Sequence, residues 1–239
     1  MPEHIVKSFH DQLDGLSNSI VQMGGLCETQ LTDAIEAMAR RDMGLAEKIV
    51  GLDAKIDELE AQIELQAIRL LALRQPVASD LRDTLGALKI SVDLERIGDL
   101  AKNVAKRAIV VSREVTDQNL VQGLVRMGRL SLTQLKNVLD AYSRRDENAA
   151  MMVWKCDDEI DEIYNSLFRE LLTYMMEDPK KISLSTHLLF IAKNFERIGD
   201  HATNIAETVC YIATGSKMAN PRPKSDMTSS TTVNTTINF

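Results

Sequence analysis

The sequence predicts an all-α fold: two tandem three-helix bundles related by internal duplication, six long helices in all, and a disordered C-terminal tail. Three observations predict it. Only 4% of the 239 residues are aromatic, and 11 Gly and 5 Pro are too few for the strands and frequent turns of a sandwich or barrel. Apolar residues recur in alternating steps of three and four along most of the chain, the spacing of one helix face. The run Glu95-Arg96-Ile97-Gly98-Asp99 returns unchanged 101 positions later as Glu196-Arg197-Ile198-Gly199-Asp200.

The first helix is expected from about His10 to Arg40, interrupted only at Gly24-Gly25. The second, Met43 to Arg74, has no Pro and aligns Leu45, Ile49, Leu52, Ile56, Leu59 and Ile63 in steps of 4, 3, 4, 3 and 4. Gln75-Pro76 ends it, because the residue before Pro is steered out of helical geometry. The third is expected to start near Ser79, whose hydroxyl suits a cap, and to run to about Ser112. Its seam is Ala87, Ile90, Leu94, Ile97, Ala101, Val104 and Ala108. Each of these helices is about 30 residues, or about 45 Å, long at the α-helical rise. The fourth is expected from Gln118 to Arg144. The fifth runs from Glu147 to Met176, where Glu177-Asp178-Pro179 stops it. The sixth runs from about Ser183 to Thr214 on a seam of Leu184, Leu188, Ile191, Phe195, Ile198, Ala202, Ile205 and Val209.

The two sets of three align with one another. At an offset of 104, Arg40-Arg41-Asp42 falls on Arg144-Arg145-Asp146, and Asp53, Ile56, Asp57 and Glu58 fall on Asp157, Ile160, Asp161 and Glu162. At an offset of 101, Ala101, Asn103 and Ala105 recur as Ala202, Asn204 and Ala206, so one turn is three residues shorter in the second half. Duplication of a three-helix unit explains this, with the first unit at 1–115 and the second at 116–214. The remainder, 215–239, is rich in Ser, Thr and Asn and lacks apolar periodicity, which reads as disorder.

A net charge of −7 argues against a nucleic-acid binder, which needs a basic face, and favours binding of cations or basic partners. Three scattered cysteines, Cys27, Cys156 and Cys210, argue against a disulfide scaffold and a thiolate zinc site and suit a reducing cytoplasm. The N-terminus has no apolar signal-peptide core. The apolar windows at Ala67–Leu73 and Ser185–Ala192 are too short to cross a bilayer, so no direct membrane insertion is expected.

Four acidic pairs spaced i, i+4 carry the chemistry: Asp53/Asp57, Glu95/Asp99, Asp157/Asp161 and Glu196/Asp200. Residues four apart share a helix face, where like charges repel. On the third helix the stripe Leu81, Leu85, Leu88 and Val92 leads by the same steps to Glu95 and Asp99; Leu189 and Ala192 lead likewise to Glu196 and Asp200. If the second and third helices are antiparallel neighbours, Asp53/Asp57 face Glu95/Asp99, and four carboxylates converge. Repulsion in such a quartet raises the carboxyl pKa values or pushes the helices apart unless a cation intervenes. Oxygen donors alone suit Mg²⁺, Ca²⁺, Mn²⁺ or iron. Two quartets carry up to −8 of formal charge against a chain total of −7. The alternative is solvated helix faces, with the acids paired to Arg96, Arg197, Lys55 or Lys102.

Other features are less decisive. Gly98 and Gly199 mark either close approach of a ligand or tight helix packing. Asn103 and Asn204 are placed to ligate, to orient a ligand or to join a hydrogen-bond network. His201 has no repeat counterpart but Leu100, so a ligand role is open in one half only. Trp154 reads as core or subunit interface. No phosphate-binding loop, dinucleotide loop or HExxH is present, and Gly123-x₄-Gly128 lacks the lysine that follows in a phosphate-binding loop.

Arg74-Gln75-Pro76-Val77-Ala78-Ser79-Asp80-Leu81-Arg82, Asp93-Leu94-Glu95-Arg96-Ile97-Gly98-Asp99 and the second-half Glu196-Arg197-Ile198-Gly199-Asp200 resemble the PhoU family over about residues 5–213. The resemblance implies a cytoplasmic protein of two similar three-helix bundles, usually a homodimer. It implies that paired E(D)xxxD motifs hold multinuclear clusters of iron or another divalent metal (Mn, Mg or Zn). Carried over by position, Asp53, Asp57, Glu95 and Asp99 form one site, and Asp157, Asp161, Glu196 and Asp200 the other. It further implies a negative regulator of phosphate uptake and phosphate-starvation signalling, linking the ATPase of a phosphate ABC transporter to a sensor histidine kinase, and not an enzyme. Two alternatives stand beside it: a carboxylate-bridged metalloenzyme acting as hydrolase or oxidase, and a metal-free structural adaptor.

Overall fold

The computed structural model describes residues 3–52, 54–156, 158–216 and 218; among these there is no strand. The elements are α1 (Glu3–Arg40), α2 (Met43–Leu52), α3 (Ala54–Arg74), α4 (Ala78–Val111), α5 (Gln118–Arg144), α6 (Glu147–Lys155), α7 (Asp158–Glu177), a 3₁₀ turn (Pro179–Lys181) and α8 (Ile182–Thr214). In the first unit α2 and α3 together form one rod against α1 and α4; in the second, α6 and α7 form the rod against α5 and α8. Beyond Thr214 the predicted tail lies, apart from residues 215, 216 and 218, outside the described residues.

The duplication is visible in the caps. Arg41 and Arg145 both take the left-handed conformation that closes a helix, at φ 55° and 52°. The next residue then starts a new helix: Asp42 Oδ1 accepts from the Leu45 N–H at 2.9 Å, and Asp146 Oδ1 from the Ala149 N–H at 3.0 Å. The sequence reading differs from the structure in more than helix bounds: the expected second helix is two elements, α2 and α3, with Asp53 between them outside the described residues. Ser79 does not cap α4; Val77 is the N-cap, without a side-chain bond, and Ser79 lies inside the helix. Gly24-Gly25 does not interrupt α1. A Cβ on Gly24 would stand 2.7 Å from Leu139 Cδ2, so the glycine is a seat for α5. The expected helix Glu147–Met176 is broken at Cys156 (φ −92°, ψ 21°), whose carbonyl leaves the helical ladder and accepts from Gln134 Nε2 at 2.9 Å.

The two units share one apolar core, built where α1 packs on α4 and α5, and α8 on α4 and α5. Reciprocal contacts cross it. Gly24 receives Leu139, and the repeat-related Gly128 receives Ile35 and Phe195, each atom 2.9 Å from where a Cβ would stand. Cys27 Sγ donates to the Leu94 carbonyl at 3.2 Å, and the repeat-related Ser131 hydroxyl to the Phe195 carbonyl at 2.9 Å. These pairings are isologous, as in a two-fold dimer. Trp154 is core, 8% exposed, with its indole N–H donating to Glu207 Oε1 at 2.9 Å. The stripe Leu81, Leu85 and Val92 on α4 is exposed, not packed. No helix among the described residues is long and apolar enough to cross a membrane.

Phe195 is fully buried where the two units meet. Phe195→Ala is expected to cost about 3–5 kcal/mol, read as a lower urea midpoint. Leu73→Ala, at a side chain 76% exposed, should stay within about 0.5 kcal/mol. Equal effects would contradict a shared core.

Candidate metal centre

Three residues, 75–77, join α3 to α4, and the two helices pack together, so they run antiparallel. The alternation that buries Ile56 and Leu59 leaves Asp57 exposed and Glu60 half-buried at the edge facing α4. On α4, Leu94, Ile97, Gly98 and Ala101 are buried, and Glu95 and Asp99 are half-buried beside them. The carboxylates are close enough to act on one another. Burial pushes the Glu95 carboxyl above the usual range; Arg96 opposes this, and the charges of Asp99, Glu60 and Asp57 add to it. Burial likewise raises Glu60, with Glu64 and Asp57 adding and Arg96 opposing. Arg96 Nε lies 3.4 Å from Glu95 Oε2, and Lys102 Nζ lies 2.6 Å from Asp99 Oδ1. The first half therefore shows both convergence of acids and the ion pairs of the solvated-face reading.

The second half is drier. Asp161 is 3% exposed and Glu196 is 4% exposed, while Asp200 is half-buried. Lys193, one turn before Glu196, places Nζ 2.9 Å from its Oε1 and 4.9 Å above the Tyr164 ring on α7. In the first half the lysine comes from the other side, one turn after Asp99. A buried carboxylate needs such a counter-charge.

Asp53 and Asp157, the remaining two predicted ligands, lie outside the described residues. His201 is turned away from the quartet. Its Nδ1 lies 2.8 Å from Asp93 Oδ1 on α4, and Asn204 Nδ2 donates to the same oxygen at 3.3 Å. Asn103 is exposed. A Cβ on Gly98 would lie 2.9 Å from Ile56 Cδ1 and 3.3 Å from Gln30 Oε1, so this glycine serves close helix approach.

Sequence reasoning missed Glu60, which stands three residues after Asp57 on the same face. It also missed Gln30 and Gln134, which the identical runs Thr29-Gln30-Leu31 and Thr133-Gln134-Leu135 mark at the 104 offset. Among the described residues, no three His, Cys, Asp or Glu side chains converge on one point that would hold an ion. The donor set itself fits a hard cation. It consists of carboxylate oxygens from two facing helices, with the deeply buried amide of Gln30 against Gly98 beside Glu95 and Asp99.

The PhoU domain family model matches residues 20–108 and again 124–209. A phosphate-specific transport system accessory protein PhoU homolog of Caulobacter vibrioides is 51% identical over 229 residues, covering 96% of this chain and 100% of the relative. One of Rhizobium meliloti is 51% identical over 226 residues, covering 95% of each. The crystal structure of PhoU from Pseudomonas aeruginosa superposes with a TM-score of 0.84 at 39% identity, covering 87% of this chain and 100% of that one. The phosphate transport system regulatory protein PhoU from Streptococcus pneumoniae superposes with a TM-score of 0.80 at 32% identity, covering 88% and 99%.

Because the folded state raises Glu60 and Glu95, it binds their protons more tightly than the unfolded chain does. Stability is therefore lost as pH rises through and above the ordinary glutamate range. The pair Glu60→Gln and Glu95→Gln removes that loss. In chelator-treated protein the double variant should melt higher than the parent at pH 7, and the difference should shrink near pH 4. A variant that melts lower at pH 7 would contradict crowding of these acids.

Proposed function

This chain belongs to the PhoU family, and from that premise we propose that it is a metal-binding, non-enzymatic regulator that restrains phosphate uptake and phosphate-starvation signalling. An accessory role in phosphate transport is what the relatives' names describe, and it covers the whole fold, because both family matches fall on the two three-helix units. The observation that carries the metal reading is the set of mutually repelling, partly buried acids on α3 and α4, with the still drier pair Asp161 and Glu196 on α7 and α8.

In this reading Asp53, Asp57, Glu95 and Asp99 hold one centre, and Asp157, Asp161, Glu196 and Asp200 the other. Glu60 stands within reach of the first. A divalent cation, or a cluster of them, neutralises the acids and ties one helix to the next. The chain's own part is to present hard oxygen donors from two rods at once. Lys102 and Lys193 keep the acids compensated by pairing with Asp99 and Glu196. The protein works in the cytoplasm as a homodimer, with surfaces that meet the transporter's ATPase and a sensor histidine kinase. The regulator reading is favoured over a metalloenzyme because the relatives' names describe an accessory role in phosphate transport.

Protein purified without chelator should contain metal by elemental analysis, and Asp99→Ala with Asp200→Ala should remove most of it. Unchanged content would defeat the assignment of these residues. In cells supplied with phosphate, deletion of the gene should raise a phosphate-starvation reporter, and the wild-type copy should restore repression. A silent reporter would defeat the negative-regulator role.

A further inference from the structure

The side-chain amides of Gln30 and Gln134 are placed as no ordinary core residue is. Gln30 is 4% exposed, and among the described residues neither its Nε2 nor its Oε1 has a hydrogen-bond partner. Gln134, its repeat equivalent on α5, is 7% exposed, and its Oε1 is likewise unpartnered. Buried polar atoms are almost always satisfied, so the same orphan at both copies of one position calls for a cause. Which end of an amide is oxygen is normally inferred from its partners. Here chemistry decides it for Gln134: the neighbouring group is the Cys156 carbonyl, which only accepts, so the 2.9 Å contact is made by Nε2 and the other end is oxygen.

Gln30 lies against the helix that carries one acidic pair, and Gln134 is tied to the chain just before α7, which carries an acid of the other group. Gln30 Oε1 lies against Gly98, between Glu95 and Asp99 in sequence, 3.3 Å from where a Cβ would stand. Gln134 holds the chain at the break between α6 and α7, at the carbonyl that immediately precedes Asp157. An ionised carboxylate offers no proton, so the acids cannot satisfy an amide oxygen. A cation can. An amide oxygen is a hard, neutral donor, which adds to a coordination shell without adding to the repulsion within a crowded quartet. We propose that Gln30 and Gln134 each turn their side-chain oxygen to the cation held by the neighbouring acids, as neutral ligands on the buried wall of the two centres. This rests on the metal reading above and extends it to residues outside the acidic motifs.

Mn²⁺ binding to the full-length chelated protein, followed by the loss of the free-ion signal in electron paramagnetic resonance, tests it. Gln30→Leu should weaken one class of sites about 10- to 100-fold, the range for residues that support a metal shell, and leave the other class near the parent value. Gln134→Leu should do the converse, and the double variant should weaken both. Gln30→Glu, where no bond is lost, keeps an oxygen at that reach and should bind at least as tightly as the parent. The melting temperature of metal-free Gln30→Leu should equal or exceed that of the parent, because an unsatisfied buried group has been removed; Gln134→Leu also removes the bond to the Cys156 carbonyl and should melt lower. If either Leu variant fails to fold, Gln→Met takes its place.

An Asp99→Asn, Asp200→Asn control separates the two ideas. If the control loses Mn²⁺ and the Leu variants keep parent affinity, a buried water or nothing at all partners these oxygens, and the proposal is overturned while the metal reading stands. If Gln30→Glu binds as poorly as Gln30→Leu, oxygen donation is likewise overturned. If the parent itself binds no Mn²⁺, both fall together.

Discussion

The contact on which the rest of the structure depends is made twice: Leu139 of α5 on Gly24 of α1, and Ile35 of α1 on Gly128 of α5. A side chain at either glycine would hold the two helices apart. With none, α1 and α5 come close enough for α4 and α8 to close over them, and one core results where two small ones would be expected. A three-helix unit alone buries a smaller fraction of its surface than a larger domain does, and sharing a core raises that fraction for both copies. The rods α2–α3 and α6–α7 are then left on the flanks, and the acids lie along the lines where these rods meet α4 and α8.

Electrostatics sets the terms on those lines. Like charges placed four residues apart on one helix oppose folding slightly when hydrated and more when dry. The protein tolerates them by lending each group a lysine, Lys102 to Asp99 and Lys193 to Glu196. The lysines come from opposite directions along their helices, and the second group is drier than the first. The two acidic groups are thus copies in sequence but not in surroundings.

How much of this was legible follows from what each signal measures. Periodicity reports which residues a helix buries, and the seams of α4 and α8 are the buried residues of the structure: Ile90, Leu94, Ile97, Ala101 and Val104 in one, Leu188, Ile191, Phe195, Ile198 and Ala202 in the other. Periodicity is silent about neighbours. It placed Leu81, Leu85 and Val92 on a stripe without telling that they stay partly exposed. It carried a helix through Cys156, whose carbonyl instead meets Gln134, a side chain 22 residues earlier. Gly24 read as a weakness in a helix because its purpose lies on α5. For the acids, the motif told which residues share a face. Glu60 fell outside the four-residue spacing although it stands on that same face, and only the packing of α3 on α4 reveals it.

The Asp93–His201 contact joins the first unit to the second, yet its mirror image is absent. The repeat-related residues are Asn194 and Leu100, and a leucine side chain has nothing to donate or accept; among the described residues Asn194 Nδ2 is left without a partner. A dimer of identical half-chains would have to make such a bond twice or not at all. Fusion into one polypeptide lifts that obligation, and selection can then edit each side of the seam separately. The molecule accordingly has a head and a tail, and a protein that lies across the joint meets a face with a built-in polarity.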